Sequence, residues 1–342
     1  MKLKTAILTI CTIEMLTLFS LCAENIFNNN AQQQQRPQHR FQYDPTAPSA
    51  HDPVMIKCGE RYYLFCTGMG ISMFVSDNMR EWQPYGGVFE EAPAWTKEAV
   101  PGFRGHMWAP DIIYHNGKYH LYYSCSSFGK NHSAIGHAEN VTLDKSSPDY
   151  KWHDTGMVIQ SITGRDNWNA IDPNVIIDEQ GQGWFSFGSF WGGIKLFKMN
   201  EELTAPHPSQ EWATLAVRNS RASQENPIEA PFIFRHGDYY YLFVSIDYCC
   251  KGKDSTYKMA VGRSKNVKGP YLDREGQRMD RGGHTLINSS NEKWVASGHC
   301  GVHHIDGKDY LAAHAYEATN GRSILVVREI EWDAEGWPNI TL

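Results

Sequence analysis

The chain has 342 residues, 41% hydrophobic and 13% aromatic, enough to bury a large core as one big domain or two ordinary ones. A formal net charge of −6 supplies no basic face, which argues against a nucleic-acid or anionic-membrane partner. With 11 Trp and 17 Tyr, the composition suits stacking on neutral sugar rings as well as packing a β-rich core.

Lys2 and Lys4 precede an apolar run that ends near Ala23, the pattern of a secretory signal peptide over residues 1–23. Glu14 interrupts that run, and Leu21 stands where cleavage prefers a small residue; a lipidated Cys22 is the alternative, on a poor lipobox, FSLC. No other apolar run reaches the roughly 18 to 20 residues that span a bilayer, so an exported, periplasmic or extracellular protein without a membrane span is expected. Residues 24–49, with NNNAQQQQRPQHR, are too polar to bury surface and read as a disordered linker. Of the 8 cysteines, Cys58, Cys66, Cys125, Cys249, Cys250 and Cys300 follow the signal region and are expected to be reduced, since a ring between the neighbours Cys249 and Cys250 would strain the peptide.

Residues 50–342 repeat themselves. Five segments each place a polar opener before a short β-branched run, then a Gly-containing turn, then an aromatic strand: HDPVMIKCGERYYLFCTG, APDIIYHNGKYHLYYSCS, IDPNVIIDEQGQGWFSFGS, IEAPFIFRHGDYYYLFVS and GHCGVHHIDGKDYLAAHAY. Gly59, Gly117, Gly181, Gly237 and Gly307 fall in the turns. Two more strand-like pieces follow in most units, ending near Trp82, Trp152, Trp212, Tyr271 and Trp332. Five four-stranded units with little helical periodicity predict an all-β, five-bladed β-propeller around a central axis.

In that architecture the first strand of every blade lines the axis and all five run the same way. Their openers, Asp52, Asp111, Asp172, Glu229 and His299, therefore converge at one end of the channel. Crowded carboxylates raise one another's pKa and oppose folding, so Asp52, Asp172 and Glu229 point to function. Asp111 follows its proline rather than preceding it, and alternation turns it elsewhere, as a structural carboxylate bonded to backbone or to an arginine. Clustered carboxylates in aromatic surroundings, without a nucleophile elbow, Walker loop or HExxH, indicate glycoside chemistry: an acid for the leaving oxygen, a base or nucleophile for the anomeric carbon, and a third carboxylate to keep the acid protonated.

The motifs HDPV, GISMFVSDNMREW, MWAPDIIYHNGKYHLYYS, SAIGHA, WNAIDPNV, FGSFWGGIKL, IEAPFIF, YCCKGKDSTYKMAVGRS, GPYLDREG and SGHCGV occur in that order. Together they closely resemble glycoside hydrolase family 43, and within it the endo-1,5-α-L-arabinanases, over about residues 50 to 338. The resemblance implies a five-bladed propeller that cleaves internal α-1,5-L-arabinofuranosidic bonds of arabinan and arabino-oligosaccharides with inversion. It assigns Asp52 as the general base, Glu229 as the general acid, and Asp172 as the carboxylate that raises the acid's pKa and orients it. An inverting pair stands roughly 6.5 to 9.5 Å apart. Asn169, Ala170, Ile171 and Asp172, then Ser189, Phe190 and Trp191, with Gly136, would line sugar subsites; Trp108 could offer a stacking face or cap the core. His299, alone or with His303 and His304, could hold a transition metal; the matching His of similar arabinanases reaches one mostly water-ligated calcium on the axis. Cys300 departs from the polar residue common after that His. A monomer is expected.

An exo-acting α-L-arabinofuranosidase or β-xylosidase is the alternative, with the inserts at residues 89–106 and 160–168 as candidates for closing one end of the groove. A retaining furanosidase lacks its nucleophile motif here, and a non-catalytic sugar-binding propeller would not need all three carboxylates. Asn131, Asn140, Asn288 and Asn339 form Asn-x-Ser/Thr sequons.

Overall fold

A computed structural model describes residues 43–218, 225–287 and 290–342, so the expected signal peptide, the lipidation site and Asn288 lie outside the described residues. The turn glycines of the five repeats have φ between +55° and +81°, a conformation that a side chain resists, and each closes an antiparallel hairpin. Blade 1 is β1 (Val54–Cys58), β2 (Arg61–Cys66), β4 (Ser72–Ser76) and β5 (Gln83–Gly87). Blade 2 is β6 (His106–His115), β7 (Lys118–Cys125), β8 (Ser133–Asn140) and β9 (His153–Ser161), with the short β3 (Gly68–Met69) added along β6. Blade 3 is β10 (Asn174–Ile177), β11 (Gly183–Phe187), β12 (Ile194–Lys198) and β13 (Trp212–Ala216). Blade 4 is β14 (Ile228–His236), β15 (Tyr239–Ile246), β16 (Lys258–Ser264) and β17 (Thr285–Leu286). Blade 5 is β18 (Trp294–Ile305), β19 (Lys308–Glu317) and β20 (Ser323–Glu329).

Inner strands touch in the cyclic order β1, β6, β10, β14, β18 and back to β1, so the ring closes. Apolar residues collect between the blades: Phe65, Met73, Leu121 and Tyr123 between blades 1 and 2, Tyr122, Val175 and Phe185 between 2 and 3, Leu196, Leu242 and Val244 between 3 and 4. Phe243, Val302 and Leu311 join blades 4 and 5, and Met55, Leu64, Trp82 and Ala312 join 5 and 1. Because each sheet is covered on both faces, the second strands lose alternation and are buried nearly throughout, as in β7 and β15.

Three expectations need correction at this level. Blade 5 has three strands of its own; its outer edge is covered from the other end of the chain, where Ser49 bridges Ile324, the Leu325 N–H donates to the Pro48 carbonyl at 3.0 Å and the Ser323 hydroxyl donates to the Ala50 carbonyl at 2.6 Å. Residues 44–49, expected to be linker, therefore belong to the folded unit, which begins at Asp44. In blade 4 the outer strand lies beyond Tyr271, at Thr285–Leu286, after a detour in which Leu272 bridges Arg263 and Arg278.

Candidate active site

At the entrance of every inner strand one non-glycine residue has left-handed backbone: Asp52 (φ 52°), Ala109 (43°), Asp172 (59°), Ala230 (54°) and His299 (49°). Four of the five stand directly before a proline. Such a residue costs about 1–3 kcal/mol and persists only if its surroundings hold it. Here they do, because each entrance N–H donates to a side chain of a neighbouring blade: Asp52 to His314 Nδ1 (3.1 Å), Ala109 to Thr67 Oγ1 (2.9 Å), Asp172 to Ser124 Oγ (3.1 Å) and His299 to Ser245 Oγ (2.8 Å). In blade 3 the corresponding second-strand position is Gly188, where a Cβ would meet the Gly193 carbonyl at 2.6 Å, and the Ala230 N–H turns to Asp172 Oδ2 instead, at 3.1 Å. Asp52, Asp172 and His299 thus occupy one equivalent position in their blades, whereas Glu229 lies one residue earlier than its blade's entrance. The sequence alignment of openers treated Glu229 as equivalent; the offset makes it approach the pocket from a different backbone position.

Asp52 is fully engaged. Its Oδ1 faces His51 Nδ1 at 2.9 Å and His299 Nδ1 at 3.0 Å, and its Oδ2 takes a 2.5 Å bond from the Thr67 hydroxyl. Thr67 already accepts from Ala109, so its proton is committed to Asp52. Burial pushes the Asp52 carboxyl up, but His51 and His299 outweigh it and hold it well below the usual range, so it is ionised. Asp172 and Glu229 go the other way. Burial raises both, each is raised further by neighbouring carboxylates, and for Glu229 hydrogen bonds from Tyr257 and Ser189 (2.7 Å) oppose the rise only in part. The pair therefore retains a proton at higher pH than free carboxyls do. Burial also opposes charge on His299, yet Asp52, Asp172 and Glu229 lift its pKa to about 9.

A pocket of about 1320 Å³ opens over this cluster and is lined by Asp52, Asp172, Glu229, His299, Trp108, Asn169, Ile171, Ser189, Phe190 and Trp191. Two expected contacts lie elsewhere. Gly136 packs inside blade 2, where a Cβ would meet the Tyr123 ring at 2.4 Å and the Trp95 ring at 2.6 Å, and Ala170 is buried in the seam between blades 2 and 3. Asp111 is a structural carboxylate: its Oδ2 accepts from the Val175 N–H at 2.7 Å, and burial lifts its pKa to about 7. His303 and His304 do not join His299; His303 Nε2 accepts from the Met55 N–H at 3.2 Å, and His304 Nδ1 lies 2.7 Å from Asp309. The insert at 89–106 carries the helix α1 (Trp95–Ala99) over blade 2, and only His106 of it reaches the pocket; of residues 160–168, Asn167 does.

Sequence reasoning missed the rest of the wall. Much of it is built by the loops joining second to third strands, Ser127–Lys130 in blade 2, Gly192 in blade 3 and Tyr248–Lys251 in blade 4, with His51 and Thr67 beside the base and Val217, Glu225, Asn226 and Asp280 completing the side toward blade 4. These loops share a face because every second strand ends there, a topological signal available once the blades are recognised. Phe128, 81% exposed, and Trp191, 41% exposed, stand at the rim as apolar faces. Cys249 and Cys250 also line the pocket and are joined by a disulfide, correcting the expectation that they are reduced; Cys58, Cys66, Cys125 and Cys300 are free thiols, as expected.

One carboxylate held ionised beside a coupled pair that retains a proton, in a large open pocket at one end of a five-bladed ring, defines a propeller glycoside hydrolase. The sequence profile of the glycosyl hydrolases family 43 matches residues 45–338, and the chain belongs to that family. It is 51% identical over 298 residues to an extracellular exo-α-(1→5)-L-arabinofuranosidase of Cellvibrio japonicus, covering 85% of this chain and 86% of the relative. It is 41% identical over 294 residues to an extracellular endo-α-(1→5)-L-arabinanase of Bacillus subtilis, covering 84% and 87%. The structure of a Cellvibrio cellulosa α-L-arabinanase complexed with arabinohexaose superposes with a TM-score of 0.83 at 50% identity, over 86% of this chain and 96% of that one.

Proposed function

We propose that this hydrolase is exported and cleaves α-1,5-L-arabinofuranosidic bonds of arabinan with inversion, Asp52 activating water, Glu229 protonating the leaving oxygen, and Asp172 keeping Glu229 protonated. The observation that carries the reading is the split in the cluster: His51 and His299 hold Asp52 ionised, while burial and like charge keep a proton on Asp172 and Glu229. That is the division of labour an acid and a base need at one pH. Thr67, by binding Oδ2, aims the base, and Ser189 does the same for Glu229.

The sequence-based expectation is an internal cut, and the 41% identity to an endo enzyme supports it. A specific observation favours a second reading, cutting from a chain end: the more similar relative, at 51%, is an exo enzyme by name. Early product sizes from linear arabinan separate the two, since an internal cut gives a ladder of oligomers and a terminal cut a single short product. NMR of the first anomer released tests inversion. Initial release of the retained anomer would overturn the base and acid roles.

Calcium on the axis is the further part of this reading. His299 would be the side chain that binds it, through the ring nitrogen other than the Nδ1 that faces Asp52 at 3.0 Å. Among the described residues no three-residue grouping of His, Cys, Asp or Glu includes His299, so water would complete the shell. A bound divalent ion supplies positive charge beside the carboxylates, and His299 must first release the proton that its raised pKa retains. Elemental analysis of the purified protein should find one calcium per chain; its absence at saturating calcium would remove this part of the proposal.

A further inference from the structure

We propose that Tyr316, tied to the Cys249–Cys250 disulfide turn, is a positioning residue that fixes the tautomer and aim of His51 on Asp52. This rests on Asp52 being the base. The observation is an unbroken chain of donors running from the pocket wall to the carboxylate. The Cys250 N–H donates to the Tyr316 oxygen at 2.9 Å, the Tyr316 oxygen lies 3.0 Å from His51 Nε2, and His51 Nδ1 lies 2.9 Å from Asp52 Oδ1. As the base, Asp52 is the acceptor of that 2.9 Å bond, so His51 Nδ1 carries the hydrogen. Tyr316, already accepting from backbone, is set to donate its own proton to Nε2. Both ring nitrogens are then specified, and the imidazole has one orientation in which both bonds are made.

The turn that holds the first donor is itself built. Cys250 has left-handed backbone (φ 67°), and the Tyr248 carbonyl and N–H pair with Thr256 at 2.9 and 3.2 Å. The Tyr248 hydroxyl donates to Glu225 at 2.6 Å, and the Lys251 N–H to Ser255 at 3.1 Å. The disulfide bonds the two residues on the pocket face of this turn, with Cys250 Sγ 3.8 Å from His51 Nε2. His51 also stacks on the buried His314 at 4.0 Å, so the ring's plane is set by packing and its hydrogen by Tyr316.

The test compares Tyr316→Phe, Cys249→Ser/Cys250→Ser, and the three substitutions combined, with Asp52→Asn as control, on linear arabinan. Tyr316→Phe keeps the ring that packs on His314 and deletes only the hydroxyl. Loss of one aligning hydrogen bond should lower kcat about 3- to 10-fold, leaving KM within about twofold and the melting temperature unchanged. The cysteine pair should show the same fall, and the triple variant no further fall, because one chain is being cut at two places. Opening the disulfide of folded wild type with a water-soluble phosphine, which takes the oxygen of water as the two sulfurs become thiols, should reproduce the loss without any substitution. Wild-type kcat in Tyr316→Phe, or effects that multiply in the triple variant, would overturn the proposal while Asp52→Asn stays inactive. Near wild-type turnover in Asp52→Asn would overturn the base assignment itself.

Discussion

Asp111, Asp172 and Asp52 share a residue type and a location near the axis, yet their surroundings send them to three different ends. Asp111 is held by the Val175 N–H and the Asn174 side-chain amide and raised to about 7 by burial. Because its folded pKa lies above its unfolded value, the folded state holds the extra proton, and stability falls as pH rises from about 4 to about 7. Asp111→Asn, which can still accept from Val175, should flatten that part of the stability-versus-pH curve measured by urea unfolding; an unchanged slope would contradict the assignment. Asp172→Asn acts on activity instead. Removing its charge should let the Glu229 proton leave earlier, moving the basic limb of the kcat/KM profile to lower pH; a limb that stays or moves upward would show that Asp172 does not hold the proton on Glu229. At this scale the sequence showed which carboxylates were unusual, since proline followed Asp52 and Asp172, but not their partners. His51, Thr67 and Tyr316 come from different strands and loops, and only the closed ring brings them together.

At the scale of elements, the recurring device is the left-handed entrance of each inner strand, latched by a side chain from a neighbouring blade. The dipeptides Asp-Pro and Ala-Pro were legible as strand openings, but the latches were not, because Thr67, Ser124, Ser245 and His314 read simply as polar residues near strand ends. Gly136 misled for the opposite reason: a glycine in a strand can mark either a ligand or a close neighbour, and here Tyr123 and Trp95 are the neighbours. The loops between second and third strands form much of the wall, and the exposed Phe128 on the first of them presents an apolar face at the rim, of the kind sugar rings stack on. Phe128→Ala should raise KM for arabino-oligosaccharides several-fold with kcat little changed. Unaltered KM across oligosaccharide lengths would remove Phe128 from the binding surface.

For the whole molecule, periodicity was the strongest signal: five glycine-turn hairpins fixed the blade count, and direction alone placed the openers at one end. What periodicity could not show was closure, because the last blade borrows its outer edge from residues that precede the first. Pro48 and Ser49 lie in a stretch whose composition resembles a tether, and pairing with β20 overrides that composition. Deleting residues 44–50 removes the hydrogen bonds to Leu325, Ser323 and Trp82 and exposes part of the seam between blades 5 and 1. At about 1 kcal/mol for each of these four bonds, two of them to Ser323, the loss should be roughly 4 kcal/mol, visible as a lower urea midpoint. An unshifted midpoint would mean that closure depends on the inner strands alone.

The central claim is that the ring gathers distant carboxylates into one acid–base pocket, and turnover of linear arabinan by Glu229→Gln tests it most directly. Glutamine preserves the shape and can still bond Ser189, but it cannot give up the proton. A fall of about 10²- to 10⁴-fold in kcat, with the unfolding midpoint unchanged, is expected; turnover within a few-fold of wild type would contradict the account.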